Sequence, residues 1–191
     1  IAREIGHKDA EITFLANRGG EQVALKNYEA AEIDLRRAIQ LAGVNGSSVM
    51  PAAFNYRAEA LLGLGKLDEA FYSARQALVL AEEDKYPEYV GMAWRTLGMV
   101  SAASGEAIRF SDWDTHQKSD HDAETCFGNS LQILKDADID MEKARTLREW
   151  ARYELKQGSR EAAEKMWQEA RQIFSSLGAQ REVERMSALP E

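Results

Sequence analysis

The sequence predicts an all-α fold: about four helical hairpins lying side by side, closed by a C-terminal capping helix. Three observations predict it. Strand formers are sparse, Ala, Glu, Leu, Arg and Gln are abundant, and prolines number only three. A packing residue recurs on a four-then-three step at four places: Ala31, Leu35, Ala38; Ala70, Ala74, Ala77; Ala123, Phe127, Ser130; and Ala163, Trp167, Ala170. Glycines that tolerate a left-handed backbone stand where helices should stop, at Gly65, Gly105 and Gly158.

The elements follow in order. Residues 1–11 are charged and weakly periodic, and read as the remainder of a preceding helix. The chain starts at Ile1 rather than Met, so a piece of a longer protein is expected. Ile12, Leu15, Gly19 and Val23 mark a first helix, Leu25 to Tyr28 a turn, and Ala31 to Ala38 its partner. Gly43 to Ser48 is a loop rich in turn formers. Pro51 suits the first turn of the next helix, where a missing amide donor costs nothing.

Phe54, Ala58, Leu61 and Leu62 share one face of that helix. Gly65 ends it, and Ala70, Ala74 and Ala77 let a neighbouring helix approach closely. The charged link Glu82 to Lys85 and Pro87 lead into a helix holding Trp94 and Leu97, stopped at Gly105. Its partner is delayed by an insertion, residues 106–120. A turn at Asp138 to Asp140 opens a fourth hairpin on Leu147, Trp150 and Ala151, and Val183 to Leu189 reads as a cap. A hairpin this short cannot bury its apolar face alone, so it stacks on others. The repeats are thus 12–42, 51–82, 91–137 and 141–177, with a cap at 180–189, in one domain spanning 1–191.

Leu64-Gly65-Lys66-Leu67-Asp68-Glu69-Ala70 and Trp94-Arg95-Thr96-Leu97-Gly98 resemble the tetratricopeptide repeat, in which two antiparallel helices fill about 34 residues. The resemblance covers about residues 12 to 177. Ser101 stands where that family usually has Tyr, and Glu154 where an apolar residue is usual. The third turn is also long. The resemblance implies a right-handed α-α superhelix whose first helices line a concave inner wall. A narrower likeness covers Ala144 to Ala151, Met166 to Phe174 and Leu177 to Ala179. It is similar to the C-terminal repeats of large bacterial signalling proteins that carry a MalT-type ATPase with a cyclase or DNA-binding output domain. It implies the sensor or interaction end of such a protein.

Composition narrows function. The net charge is −8, which disfavours a nucleic-acid surface. No apolar run approaches the ~20 residues that span a bilayer. The single cysteine, Cys126, excludes an intrachain disulfide framework and points to a reducing, cytoplasmic setting. No phosphate loop, zincin motif or paired-cysteine motif occurs. No enzyme activity and no cofactor are therefore expected. Cys126 reads as a buried packing residue. Asp112, Asp114, His116, Asp120, His121 and Asp122 carry donors that suit a divalent metal, but their spacing matches no defined loop, and a solvated acidic loop is expected. Phe110 and Trp113 are expected to tuck back onto the hairpins.

The expected site lies on the first helices. The resemblance places Asn55 and Glu59, then Arg95 and Met99, then Arg145, Arg148 and Arg152 on the inner wall, with Lys156 one turn beyond. Arg148 and Arg152, four apart, face one way. Two readings stay open: the arginines pair with Glu149 or with glutamates of adjacent helices, or they form a groove that holds an acidic or C-terminal peptide by paired hydrogen bonds. The leading expectation is a protein-interaction module that binds a protein or peptide partner. The alternative is an array that packs on its own upstream domains or pairs as a homodimer, and controls an attached ATPase or cyclase domain.

Overall fold

A computed structural model describes residues 2–43, 47–111 and 118–189, with side chains for 7–43, 47–109 and 119–189. Among the described residues there are nine helices and one two-stranded sheet. In order they are α1 (Ala2–Ala24), α2 (Tyr28–Ala42), α3 (Met50–Gly63), α4 (Leu67–Glu83), α5 (Pro87–Ser104), β1 (Ile108–Ser111), β2 (Lys118–His121), α6 (Ala123–Asp136), α7 (Asp140–Lys156), α8 (Arg160–Ser176) and α9 (Gln180–Arg185). The chain divides into two compact units, Ile1–Thr96 and Leu97–Glu191, and the division falls within α5.

One turn recurs throughout. Gly65 takes φ +72°; its amide donates to the Leu62 carbonyl at 3.0 Å, and the Lys66 amide donates to Leu61 at 2.9 Å. This pair of bonds satisfies the last carbonyls of a helix and stops it. The same pair closes α1 at Lys26 and Asn27, α4 at Lys85 and Tyr86, α6 at Asp138 and Ile139, α7 at Gly158 and Ser159, and α8 at Gly178 and Ala179. Each of these links is three residues long. The second of the two donating residues is also the N-cap of the helix that follows, as at Lys66, Ile139 and Ser159.

The core follows the step read from sequence. All twelve residues of the four steps are buried, the most exposed being Trp167 at 6%. In the Ile1–Thr96 unit, Ile12, Leu15, Ala31, Leu35, Ala38, Met50 and Ala53 form one cluster. Gly19 abuts Leu35 so closely that an added Cβ would overlap its side chain. In the Leu97–Glu191 unit, Ala144, Leu147, Ala151, Ala163, Trp167, Ala170, Phe174 and Met186 form another cluster. There Phe127 stacks on Trp150 with ring centroids 6.0 Å apart.

Four expectations are corrected or completed. Helix α1 starts at Ala2 rather than near Ile12, so residues 2–11 continue it rather than belonging to a preceding helix. The insertion holds a β-hairpin, with Ile108 opposite His121 and Arg109 opposite Asp120. That second pair is an ion pair, Arg109 Nη2 donating to Asp120 Oδ2 at 2.7 Å, and opposite charges directly across a ladder favour its register. The two departures from the repeat pattern each have a job. Buried Ser101 donates its hydroxyl to the Glu106 carbonyl at 2.8 Å, tying the end of α5 to the hairpin. Glu154 accepts the Trp150 indole N–H at 2.9 Å.

Candidate functional site

Helix α7 carries two faces because its spacing demands it. Ala144, Leu147 and Ala151 are buried, which turns Arg145, Arg148 and Arg152 together toward another side. These arginines meet carboxylates of their own unit. Arg148 Nε donates to Glu149 at 2.9 Å and its Nη1 to Glu182, on α9, at 2.6 Å. Arg152 donates to both oxygens of Glu149 at 2.9 Å. Arg145 pairs with Glu142 and, at 3.5 Å, with Glu182. Arg185 reaches Glu182 at 3.4 Å. The network also has an aromatic floor: the guanidinium of Arg148 lies 5.9 Å from the ring centre of Phe174, and that of Arg152 lies 5.9 Å from Trp167.

Depth separates the three arginines. The side chain of Arg148 is 15% exposed, against 32% for Arg145 and 43% for Arg152. Burial pushes the Glu149 carboxyl up, but the guanidiniums of Arg148 and Arg152 outweigh it and hold the group below the ordinary value. Glu182 is lowered in the same way: burial opposes, and Arg148, Arg145 and Arg185 prevail. Burial works against the charge of Arg148, yet Glu149 and Glu182 raise its pKa further. Four cations (Arg145, Arg148, Arg152, Arg185) thus face three anions (Glu142, Glu149, Glu182).

The remaining predicted residues are placed elsewhere. Asn55 is fully buried; its Nδ2 donates to the Tyr89 carbonyl at 3.3 Å, and among the described residues its Oδ1 meets no hydrogen-bond partner. Arg95 is 4% exposed and pairs with Glu59 at 3.3 Å. Met99 is half-buried. Asn55 and Arg95 belong to the Ile1–Thr96 unit and Met99 to the other. Of the predicted set, the structure brings together the three arginines of α7. Burial corrects the expectation that Asn55 and Arg95 offer their polar ends to a groove.

Sequence reasoning named Glu149 but missed Glu142, Glu182, Phe174 and Trp167 as members of this site. Glu182 had a signal: it is an acid one residue before the amphipathic stretch Val183 to Leu189 of the expected cap.

In the insertion, Asp112, Trp113, Asp114 and His116, and the side chain of Phe110, lie outside the described residues. Asp120 is held by Arg109, which keeps its carboxyl below the ordinary value. Asp122 caps α6, accepting from the Thr125 amide at 2.8 Å, and that bond lowers its pKa. His121 Nε2 lies 2.7 Å from the Ser119 hydroxyl, and burial lowers its pKa. Cys126 is fully buried and its thiol is pushed up to about 12, chiefly by burial, so it is protonated and unreactive at neutral pH. Among the described residues, no cluster of three or more His, Cys, Asp or Glu is placed to hold a metal. No described helix is long and apolar enough to cross a membrane. No protein-family model matches this chain, and no curated protein matches it.

Proposed function

We propose that the chain is a tetratricopeptide-like, non-catalytic interaction module of the cytoplasm that binds a protein or peptide through acidic groups, at the regulatory end of a larger signalling protein. The observation that carries this reading is the arginine face of α7, where Arg145 and Arg152 stay partly exposed beside buried carboxylates in an otherwise acidic chain. A guanidinium already oriented by one carboxylate presents its other N–H groups in a fixed fork, which suits a second carboxylate. The repeated three-residue turns and the buried four-then-three steps support the repeat reading.

Arg152 is the residue to test. Arg148 is too deeply paired for a clean reversal, because a glutamate there would stand beside Glu149 and Glu182. The probe is a panel of fluorescent peptides ending in acidic residues and a free carboxylate. The expected result is binding by the native chain that weakens about tenfold, some 1.4 kcal/mol, in Arg152→Gln, which removes the charge without setting a second carboxylate beside Glu149, with helical circular dichroism unchanged. Equal binding by the two chains overturns the proposal, as does no binding to any peptide. Self-pairing, the alternative role, predicts a dimer that grows with concentration in sedimentation.

A further inference from the structure

The arginine face already holds a ligand, and it belongs to the chain itself. Glu182 of α9 pairs with both Arg145 and Arg148, and it is 9% exposed. Met186, four positions on, is fully buried in the cluster of α7 and α8 residues, and Val183 and Leu189 pack against the same cluster. The pattern is one carboxylate followed by apolar residues one, four and seven positions later. Helix α9 spans only six residues, far below the length at which a helix holds itself together. It hangs from α8 by the three residues Leu177 to Ala179, with Gly178 at φ +67°. An element this short, with few residues to hold it, lies at the low-stability end of a structure.

We infer that residues 180–189 are an internal occupant of the arginine face. The external partner is then an acidic amphipathic helix carrying the same pattern, which must displace α9 to bind. The carboxylate seats on Arg145 and Arg148, and the apolar residues take the places of Val183, Met186 and Leu189. The inference rests on the interaction reading above and adds the chemistry of the partner and its competitor.

The test uses the full chain and a fluorescent peptide of its own residues 178–189. Met186→Asp puts a charge into the apolar seat and should release α9. Native chain is expected to bind the peptide weakly, and Met186→Asp about tenfold more tightly, because the competitor is gone. A peptide with Glu182→Gln should lose that gain. If Met186→Asp keeps its helical signal and binds no better than native chain, the inference is overturned. Equal binding of the two peptides overturns it too. Should Met186→Asp lose its fold, Glu182→Gln in the full chain replaces it; an increase of about threefold is expected, and no increase overturns the inference. The acidic peptides of the earlier panel are measured on the released chain as well. If the chain's own peptide binds and the panel does not, the inference stands and the carboxylate-ended partner class fails. If neither binds, the inference falls.

Discussion

In the Ile1–Thr96 unit the middle residue of the four-then-three step is Leu35 in one hairpin and Ala74 in the next; in the Leu97–Glu191 unit it is Phe127 and Trp167. The same turn closes the hairpins of Leu35, Ala74 and Trp167, so it does not choose between small and large fillers; the hairpin of Phe127 is joined by the insertion instead. What adjusts is the facing helix. Leu35 meets Gly19, and Phe127 meets Gly98, where an added Cβ would come within 2.9 Å of the ring. Both units also carry charge pairs. In the first, Arg18 donates to Asp34 at 2.6 Å, and Arg57 reaches Glu32 at 3.4 Å and the Ser73 hydroxyl at 2.8 Å. In the second, three arginines of α7 share Glu142, Glu149 and Glu182. What differs between the hairpins is the filler, small at Ala74 and aromatic at Phe127 and Trp167.

The sharpest test of that contrast removes the fillers. Phe127→Ala should cost about 3–5 kcal/mol, while Ala74→Gly should cost about 1 kcal/mol through helix propensity and a small lost contact. Urea titration followed by native-state amide exchange, which reads each unit separately, checks both. Equal losses would show that the two hairpins are packed alike after all.

Next in size is the network. Arg148→Ala leaves Glu149 and Glu182 short of their shared cation and should cost about 3 kcal/mol. The pH dependence has a definite sign. Both carboxyls lie below the ordinary 4.5 in the folded chain. The stability they add is therefore present above that value and is lost as pH falls through their folded values. Amide protection of α7 to α9, the exchange rate taken relative to the intrinsic rate at each pH, should fall below about pH 4.5, and Arg148→Ala should flatten this dependence. An acid response that Arg148→Ala leaves unchanged would place its origin elsewhere.

These contrasts show what sequence could and could not reveal. The step residues were legible because a buried helix stripe repeats every three or four positions, and the turns at Gly65 and Gly158 because glycine tolerates positive φ. The turns at Lys26, Lys85 and Asp138 use the same geometry without that marker. The β-hairpin was hidden because Lys118 to His121 has no apolar alternation. At the site, the arginine face followed from spacing within α7, whereas Glu182 lies 34 positions from Arg148 and only the fold brings them together. Asn55 was misplaced for a different reason. Helix α3 packs against α1, α2 and α4, so positions counted outward from one stripe are still inside.

Gly98→Ala is a finer probe of the packing trade. Crowding the Phe127 ring should cost about 1–3 kcal/mol. Combined with Phe127→Leu, the cost should shrink, because the smaller residue gives the methyl room; a double-mutant cycle measures the coupling. Strict additivity would mean that Gly98 is there for its backbone and not for the ring it faces.

The smallest expected effect separates turn geometry from packing altogether. Lys85 takes φ +57° and Asp138 φ +55°, where the repeated turn elsewhere uses Gly65, Gly158 and Gly178. A side chain with Cβ pays a steric penalty there of about 1–2 kcal/mol, partly offset in a glycine variant by the extra freedom of the unfolded chain, about 0.5–1 kcal/mol. Lys85→Gly should therefore stabilise the chain by a few tenths to about 1 kcal/mol. Asp138→Gly should gain less, because a short polar side chain already tolerates this conformation. Gly65→Ala should lose about 1 kcal/mol by the same argument reversed. Thermal unfolding of the three variants orders them. If Asp138→Gly gained more than Lys85→Gly, the aspartate would be disturbing its turn by something other than backbone strain.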